Sequence, residues 1–106
     1  MPKYLVMASY TAEGIKGVLK DGGTKRRQAG EAALKSVGGK LEAFYFAFGE
    51  HDLYAIVDAP DNVSVAAAAM AIAAGGAVKP RTVVLLTPDE IDQVAKKGVT
   101  YTPPGQ

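Results

Sequence analysis

The chain contains no cysteine and no tryptophan, and it has a single histidine among its 106 residues. Without cysteine, disulfides, thiolate nucleophiles and cysteine-ligated metals are excluded. Its 12 basic and 11 acidic residues leave a net charge of +1, which provides no general attraction for nucleic acid or an anionic membrane. The most apolar run, residues 63–78, is mostly alanine and is too short for a membrane span. We therefore expect neither nucleic acid nor a membrane as a partner. With one histidine, no cysteine and no glycine-rich phosphate loop between a strand and a helix, we also expect no metal and no cofactor.

The length of the chain favours one domain over residues 1–106, and 48% of its residues are hydrophobic and available for a core. The segment MPKYLVMASY is too short and too polar for a signal peptide. The absence of cysteine fits a reducing compartment, so we expect a cytoplasmic protein. The basic cluster Lys25-Arg26-Arg27 lacks interleaved aromatic residues, which is typical of a solvated helix start.

Runs of β-forming residues and helix-capping residues divide the chain into strands and helices. Strands are predicted over residues 3–10, 40–48, 53–59 and 78–86. Helices are predicted after the cap Thr11, from Thr24 to about residue 37, over residues 63–74 behind Asp61, and from a Thr87 capping box to about residue 97. Residues 98–106 are predicted to form a tail, because their prolines prevent regular structure.

The predicted order β-α-β-β-α-β, followed by an extra helix, is the ferredoxin-like split βαβ arrangement of an α+β protein. Two right-handed crossovers place both main helices on one face of a four-stranded antiparallel sheet. The opposite face is therefore left bare, unless the short extra helix folds over it.

Every predicted strand carries apolar side chains on both faces. Alternation places Leu5 and Met7 opposite Tyr4 in the first strand, and Leu41 opposite Phe44 in the second. A bare face of this kind exceeds the apolar patches that soluble monomers usually expose. We therefore expect a homodimer or a higher homo-oligomer, with the sheets of two copies stacked as a dimeric α+β barrel. The tail 98–106 is then an arm that holds the partner.

Two predicted helices are rich in small residues. In the second helix, one face is predicted to pack through Ala29, Ala32, Ala33 and Val37. The alanine-rich helix over residues 63–74 has two interpretations. Its alanines either let it approach the sheet closely or leave a cavity that larger side chains would have filled.

The tetrapeptide Gly49-Glu50-His51-Asp52 joins two apolar strands and holds the only histidine between two acids. A lone histidine can act as a general base or ligate a metal. The competing interpretation is a polar hairpin turn, in which Asp52 bonds its own backbone. The first and third strands are antiparallel neighbours in this fold, so Tyr10 is expected at the same sheet edge as His51 and Asp52.

This placement defines the candidate site residues. The catalytic candidates are His51, Asp52 and Tyr10. The ligand-binding candidates are Tyr10, Thr11, Arg27, His51 and Tyr54. An arginine from the following helix, Arg26 or Arg27, is suited to bind an anion at this edge. The plainer alternatives are solvated arginines, a capping role for Thr11 and a packing role for Tyr10.

Several motifs along the chain resemble the GYD-domain family, a group of small bacterial proteins. They are Ser9-Tyr10-Thr11 after the first strand, Gly49-x-x-Asp52 in the hairpin, Pro60-Asp61 after the third strand, and Thr87 before Pro88-x-Glu90. The resemblance covers about residues 3–92. His51 stands where the family usually has tyrosine, so its signature is altered here.

The resemblance implies a dimeric α+β barrel, and it implies no particular activity, because the family has none established. The wider barrel group includes cofactor-free monooxygenases, lactone isomerases, stress-response proteins and ligand-sensing domains. Three hypotheses follow. We favour a dimeric module that binds a small ligand or has a regulatory role. The second is a cofactor-independent monooxygenase or isomerase with His51 as base and Tyr10 or Arg27 as partner, and the third is a structural subunit of a larger assembly.

Overall fold

A computed structural model describes all of residues 1–106. It contains four strands and four helices, in the order β1 (Lys3–Tyr10), α1 (Ala12–Asp21), α2 (Gly23–Lys35), β2 (Lys40–Phe46), β3 (Leu53–Asp58), α3 (Asn62–Ala74), β4 (Val78–Leu85) and α4 (Pro88–Ala95). The strands form one antiparallel sheet with the spatial order β2-β3-β1-β4. Helix α2 packs against β2, and α3 packs against β4. The predicted ferredoxin-like split βαβ topology is confirmed.

The predicted helix caps are present as hydrogen bonds. Thr11 Oγ1 accepts from the Gly14 amide at 3.2 Å, and Asp61 Oδ1 accepts from the Ser64 amide at 2.8 Å. The Ser64 amide bond favours the charged form of Asp61 and lowers its pKa. At α4, Thr87 and Glu90 form a reciprocal capping box. Local sequence signals therefore set three of the four helix starts.

The packing face of α2 differs from the predicted one. Ala29 and Ala32 are exposed, whereas Leu34 is buried. Gly30 lies one turn before Leu34 on the same face, and a Cβ atom at Gly30 would stand 3.6 Å from Phe44 Cε2. The predicted face is wrong for Ala29 and Ala32, although Ala33 and Val37 are partly buried, because the Phe44 ring of β2 fits against Gly30, the smallest residue of the helix.

A β-bulge in β2 changes which side chains face the helices. The pairing of β2 with β3 shifts between Leu41 and Ala43, and Leu41 pairs with Val57 while Phe44 pairs with Ala55. Val57 and Ala55 are buried beneath the helices, so Leu41 and Phe44 share that face. The prediction that they lie on opposite faces is wrong, because the bulge adds one residue to the strict alternation.

The core lies between the sheet and the helices and is anchored on Tyr4. Tyr4 is 1% exposed, and its hydroxyl donates to Asn62 Oδ1 at 2.6 Å. This bond links the middle of the sheet to the first turn of α3. None of the four helices combines the length and the apolar character that crossing a membrane requires.

The C-terminal part of the chain stands away from the rest. Every residue from 88 to 106 is exposed, and α4 makes no extensive contact with any other helix or strand. The chain measures 57 × 33 × 22 Å, and its radius of gyration of 16.9 Å exceeds the roughly 13 Å typical of a compact domain of this length. The alternative in which the last helix covers the bare face of its own chain is therefore wrong.

Two glycines of α1 offer a matched test of the packing between α1 and the loop before β4. A Cβ atom at Gly14 would overlap the carbonyl oxygen of Ala77, whereas nothing lies within 4 Å of one at Gly17. We expect Gly14→Ala to lower the free energy of unfolding by about 1–3 kcal/mol through overpacking. We expect Gly17→Ala to raise it by up to about 1 kcal/mol through helix propensity. Urea denaturation followed by circular dichroism measures both, and equal effects would contradict the close approach.

Candidate functional site

An apolar cavity of about 90 Å³, here called the helix–sheet cavity, lies between the sheet and helices α2 and α3. Of its 18 lining residues, 14 are hydrophobic. The sheet supplies its floor, including Ala8, Leu53 and Ala55, and the helices supply its walls. The cavity therefore occupies the place where a tightly packed core would have continued.

The alanines of α3 explain the space. Ala68 and Ala69 line the cavity where longer side chains would fill it. Val65 and Ile72 are the only larger α3 residues in the wall. Of the two interpretations of this alanine-rich helix, the structure shows the one that leaves a cavity.

Arg26 is the only charged residue in the wall of the helix–sheet cavity. Its Nε atom is buried and has no hydrogen-bond partner. The neighbouring Arg27 is half exposed, with its Nε 3.6 Å from Glu31 Oε1. The sequence presents these two arginines as near equivalents, and the rotation of α2 separates them, because Arg26 shares the packing face with Gly30 and Leu34.

Tyr10 lies at the cavity and belongs to a small aromatic group. Its ring stacks on Phe46 with centroids 6.4 Å apart, and Phe46 meets Phe44 edge to face at 5.5 Å. Tyr10 and Phe44 both line the cavity. This aromatic group forms the end of the cavity nearest the hairpin between β2 and β3.

The opposite face of the sheet has no helix on it, and we call it the open face. Its centre is apolar and comprises Leu5, Met7, Ala43, Tyr45, Tyr54, Ile56, Val83 and Leu85. The expectation that each strand is apolar on both faces holds for only part of β4: Val83 and Leu85 lie on the open face, but Lys79 and Arg81 also occupy it, beside Ser9 and Met7. The face therefore has an apolar centre and a basic corner.

The other end of the open face carries a small ion-pair network. Lys3 Nζ lies 2.8 Å from Asp58 Oδ1 and 3.0 Å from Glu42 Oε2. These two carboxylates raise the pKa of Lys3, with the Asp58 hydrogen bond as the largest cause. The network connects β1, β2 and β3 at the edge of the apolar centre.

His51 lies on the open face, at its basic corner. Its Nδ1 is 3.3 Å from Ser9 Oγ, and its ring meets the ring of Tyr54 edge to face at 5.8 Å. A wide polar depression of about 360 Å³ adjoins it, lined by Ser9, Glu50, His51, Lys79 and Arg81. No group of three or more histidine and carboxylate side chains is arranged here to hold a metal ion.

Asp52 holds the hairpin to the first strand. Its carboxylate accepts from the Tyr10 amide at 2.8 Å, and its own amide donates to the Ala8 carbonyl at 2.9 Å. The carboxylate thus bonds the backbone of the neighbouring strand, not its own turn as the turn interpretation expects. Tyr10, His51 and Asp52 meet at one sheet edge as expected from the topology.

The side chains of these residues nevertheless lie on two different faces of the sheet, the cavity side and the open face. Tyr10 points to the helix side, whereas His51 and Tyr54 lie on the open face. Thr11 caps α1, and its hydroxyl also lies 3.2 Å from the Gly76 carbonyl oxygen. Sequence reasoning named Arg26 or Arg27 as suited to bind an anion and placed only Arg27 in the ligand-binding set, whereas Arg26 is the one that lines the cavity. Its i, i+4 and i, i+8 spacing to Gly30 and Leu34 is the signal for this placement.

These features define a small α+β protein of ferredoxin-like topology, with a cavity on the helix-covered side of its sheet and an open face on the other. The chain belongs to the GYD domain family, whose model matches residues 4–95. No curated protein and no solved structure matches the chain. The resemblance drawn from the Ser9-Tyr10-Thr11 and hairpin motifs is confirmed.

The hairpin offers a test with its two acids. We expect Asp52→Ala to lower the free energy of unfolding by about 1–2 kcal/mol, because the Tyr10 amide loses a charged acceptor. Glu50→Ala is the control, since Glu50 is exposed and makes no hydrogen bond or ion pair. Hydrogen exchange measured by NMR should show a faster Tyr10 amide only in the Asp52 variant. An unchanged Tyr10 exchange rate would contradict this role.

Proposed function

We propose that this chain is a homodimeric module that binds a small molecule in its helix–sheet cavity. The observation that carries the proposal is the cavity itself, with about 90 Å³ of space behind predominantly hydrophobic walls. That space is several times the roughly 10–15 Å³ that one water molecule needs. Apolar walls hold water poorly, so an apolar ligand is the natural occupant.

The position of His51 supports binding over catalysis. In the alternative of a cofactor-independent monooxygenase or isomerase, His51 acts as base with Tyr10 or Arg27 as partner. Tyr10 lies on the other side of the sheet from His51, and Arg27 is directed to Glu31. The depression beside His51 has no hydrophobic lining residue to exclude water from a reaction.

The open face supports the homodimer. Its apolar centre includes Tyr45, which is 72% exposed, and Val83, which is 44% exposed. A two-fold related copy covers such a face with an identical one. Helix α4 stands away from the rest of the chain, and its apolar residues Ile91 and Val94 are 49% and 56% exposed. Together with the tail 98–106 they are suited to pack on the partner.

The proposal also includes a location and a regulatory role. The absence of cysteine supports a cytoplasmic location. A regulatory role follows if ligand occupancy and assembly are linked through the sheet that separates the cavity from the open face. In the third hypothesis, the chain is a structural subunit of a larger assembly, which would contain more than two copies or partners.

The dimer is tested by light scattering coupled to size-exclusion chromatography. We expect the chain to have about twice the monomer mass of 11.0 kDa. Ile56→Lys places a charge at the centre of the open face and should yield a monomer with an unchanged circular dichroism spectrum. Val63→Lys is the matched control on α3, where Val63 is 78% exposed, and should leave the mass unchanged. A stable wild-type monomer at micromolar concentration contradicts the dimer, and a larger multiple favours the structural subunit.

Cavity binding is tested with a neutral apolar probe, 1-hexanol, by NMR titration. We expect chemical-shift changes confined to residues that line the cavity, such as Ala55 and Val65. Ala69→Leu fills the cavity and should reduce the affinity for 1-hexanol about tenfold or more, which corresponds to the burial of one or two methylene groups. Ala67→Leu is the matched control, because Ala67 is exposed on the same helix. Absent shifts, or equal effects of the two variants, would overturn the proposal.

A further inference from the structure

We infer that the ligand is a small apolar monocarboxylic acid, whose carboxylate binds Arg26 at the wall of the helix–sheet cavity. This inference rests on the proposed function and specifies its ligand. It is carried by a different observation, the unpaired Nε of Arg26.

Arg26 lacks a hydrogen-bond partner for its Nε atom. A guanidinium is protonated at all physiological pH values, so its Nε always carries a hydrogen to donate. Arg26 Nε is the one buried side-chain nitrogen or oxygen of the chain without a hydrogen-bond partner. Buried donors are nearly always paired, because an unpaired one loses its hydration without compensation. A ligand acceptor in the cavity supplies the missing partner.

The positive charge of Arg26 has no counter-ion within the protein. Lys25 and Arg27, on either side of Arg26, each lie within 4.0 Å of a carboxylate: Lys25 of Asp21 at the end of α1, and Arg27 of Glu31 in α2. No carboxylate of the chain lies within that distance of Arg26. The guanidinium is therefore not neutralised by the protein, and an anionic acceptor gains more there than a neutral one. A carboxylate matches its planar donor geometry.

The rest of the wall of the helix–sheet cavity limits the ligand to one charge. Beyond Arg26, the lining offers no second cation, and the Tyr10 and Thr82 hydroxyls are its other side-chain polar groups. A dicarboxylate or a phosphorylated compound would bury charge against hydrocarbon. Leu34, Val65 and Ile72 instead favour an aliphatic or aromatic body. The volume of about 90 Å³ suits a short chain or a single ring.

The experiment compares hexanoate with 1-hexanol, which have the same chain length but differ in charge, by isothermal titration calorimetry at pH 7. We expect wild-type protein to bind hexanoate about tenfold or more tightly than 1-hexanol, the range of one charge-assisted hydrogen bond. Arg26→Leu should lose about tenfold or more in affinity for hexanoate. Its affinity for 1-hexanol should fall by a smaller factor than its affinity for hexanoate, because a neutral hydroxyl gains less from the guanidinium than a carboxylate does, and the retained binding of 1-hexanol shows that the cavity is still folded.

Two further variants separate a direct bond from a general charge effect. Arg27→Leu removes the same charge from the exposed neighbour and should leave hexanoate binding unchanged. Arg26→Lys retains the charge but lacks the Nε–H group, and it should weaken hexanoate binding to an intermediate value. It also serves as the test if Arg26→Leu does not fold.

The outcomes distinguish the two proposals. If 1-hexanol binds in the cavity and hexanoate binds no more tightly, the carboxylate inference is overturned and the small-molecule module stands. If Arg27→Leu weakens hexanoate as much as Arg26→Leu does, the inference is also overturned, because the effect is then long-range. If neither probe binds, both the module and the inference fail.

Discussion

Helices α2 and α3 pack on the same face of a four-stranded sheet. Both the helix–sheet cavity and the open face depend on that constraint. Both crossovers return their helices, α2 and α3, to the same side of the sheet. One face of β1 and β3 is thereby buried under α2 and α3, while Leu5, Met7 and Ile56 on the other face are only partly buried. A cavity and an apolar open face are consequences of the same topology.

Small side chains decide how closely the covering layer meets the sheet. Gly14 lets the start of α1 lie against the Ala77 carbonyl, and Gly30 lets α2 accommodate the Phe44 ring. The short side chains of Ala68 and Ala69 do not fill the space between α3 and the sheet, and no side chain of the sheet fills it either. Protein interiors are normally packed without such gaps, and the proposed ligand site rests on this gap and on the uncompensated guanidinium in its wall.

The hairpin tip shows how one sheet edge can serve two separate surfaces. Asp52 bonds the Tyr10 amide and so fixes the tip to the end of β1. Adjacent residues in a strand point to opposite faces of the sheet. Ser9 therefore contacts His51 on the open face, whereas Tyr10 lines the cavity on the helix-covered face. Residues that are neighbours along the chain are thus divided between a polar depression and an apolar cavity.

Local patterns in the amino-acid sequence determined the element order, the caps at Thr11, Asp61 and Thr87, and membership of the GYD domain family, because these depend on residues close together in the chain. They also placed Tyr10, His51 and Asp52 at one edge, since antiparallel neighbours follow from the topology. Only the tertiary structure decided that a bulge turns Leu41 toward the helices. It alone decided that Arg26, not Arg27, meets the cavity, because the rotation of a helix is set by packing against a distant strand and not by its own residues.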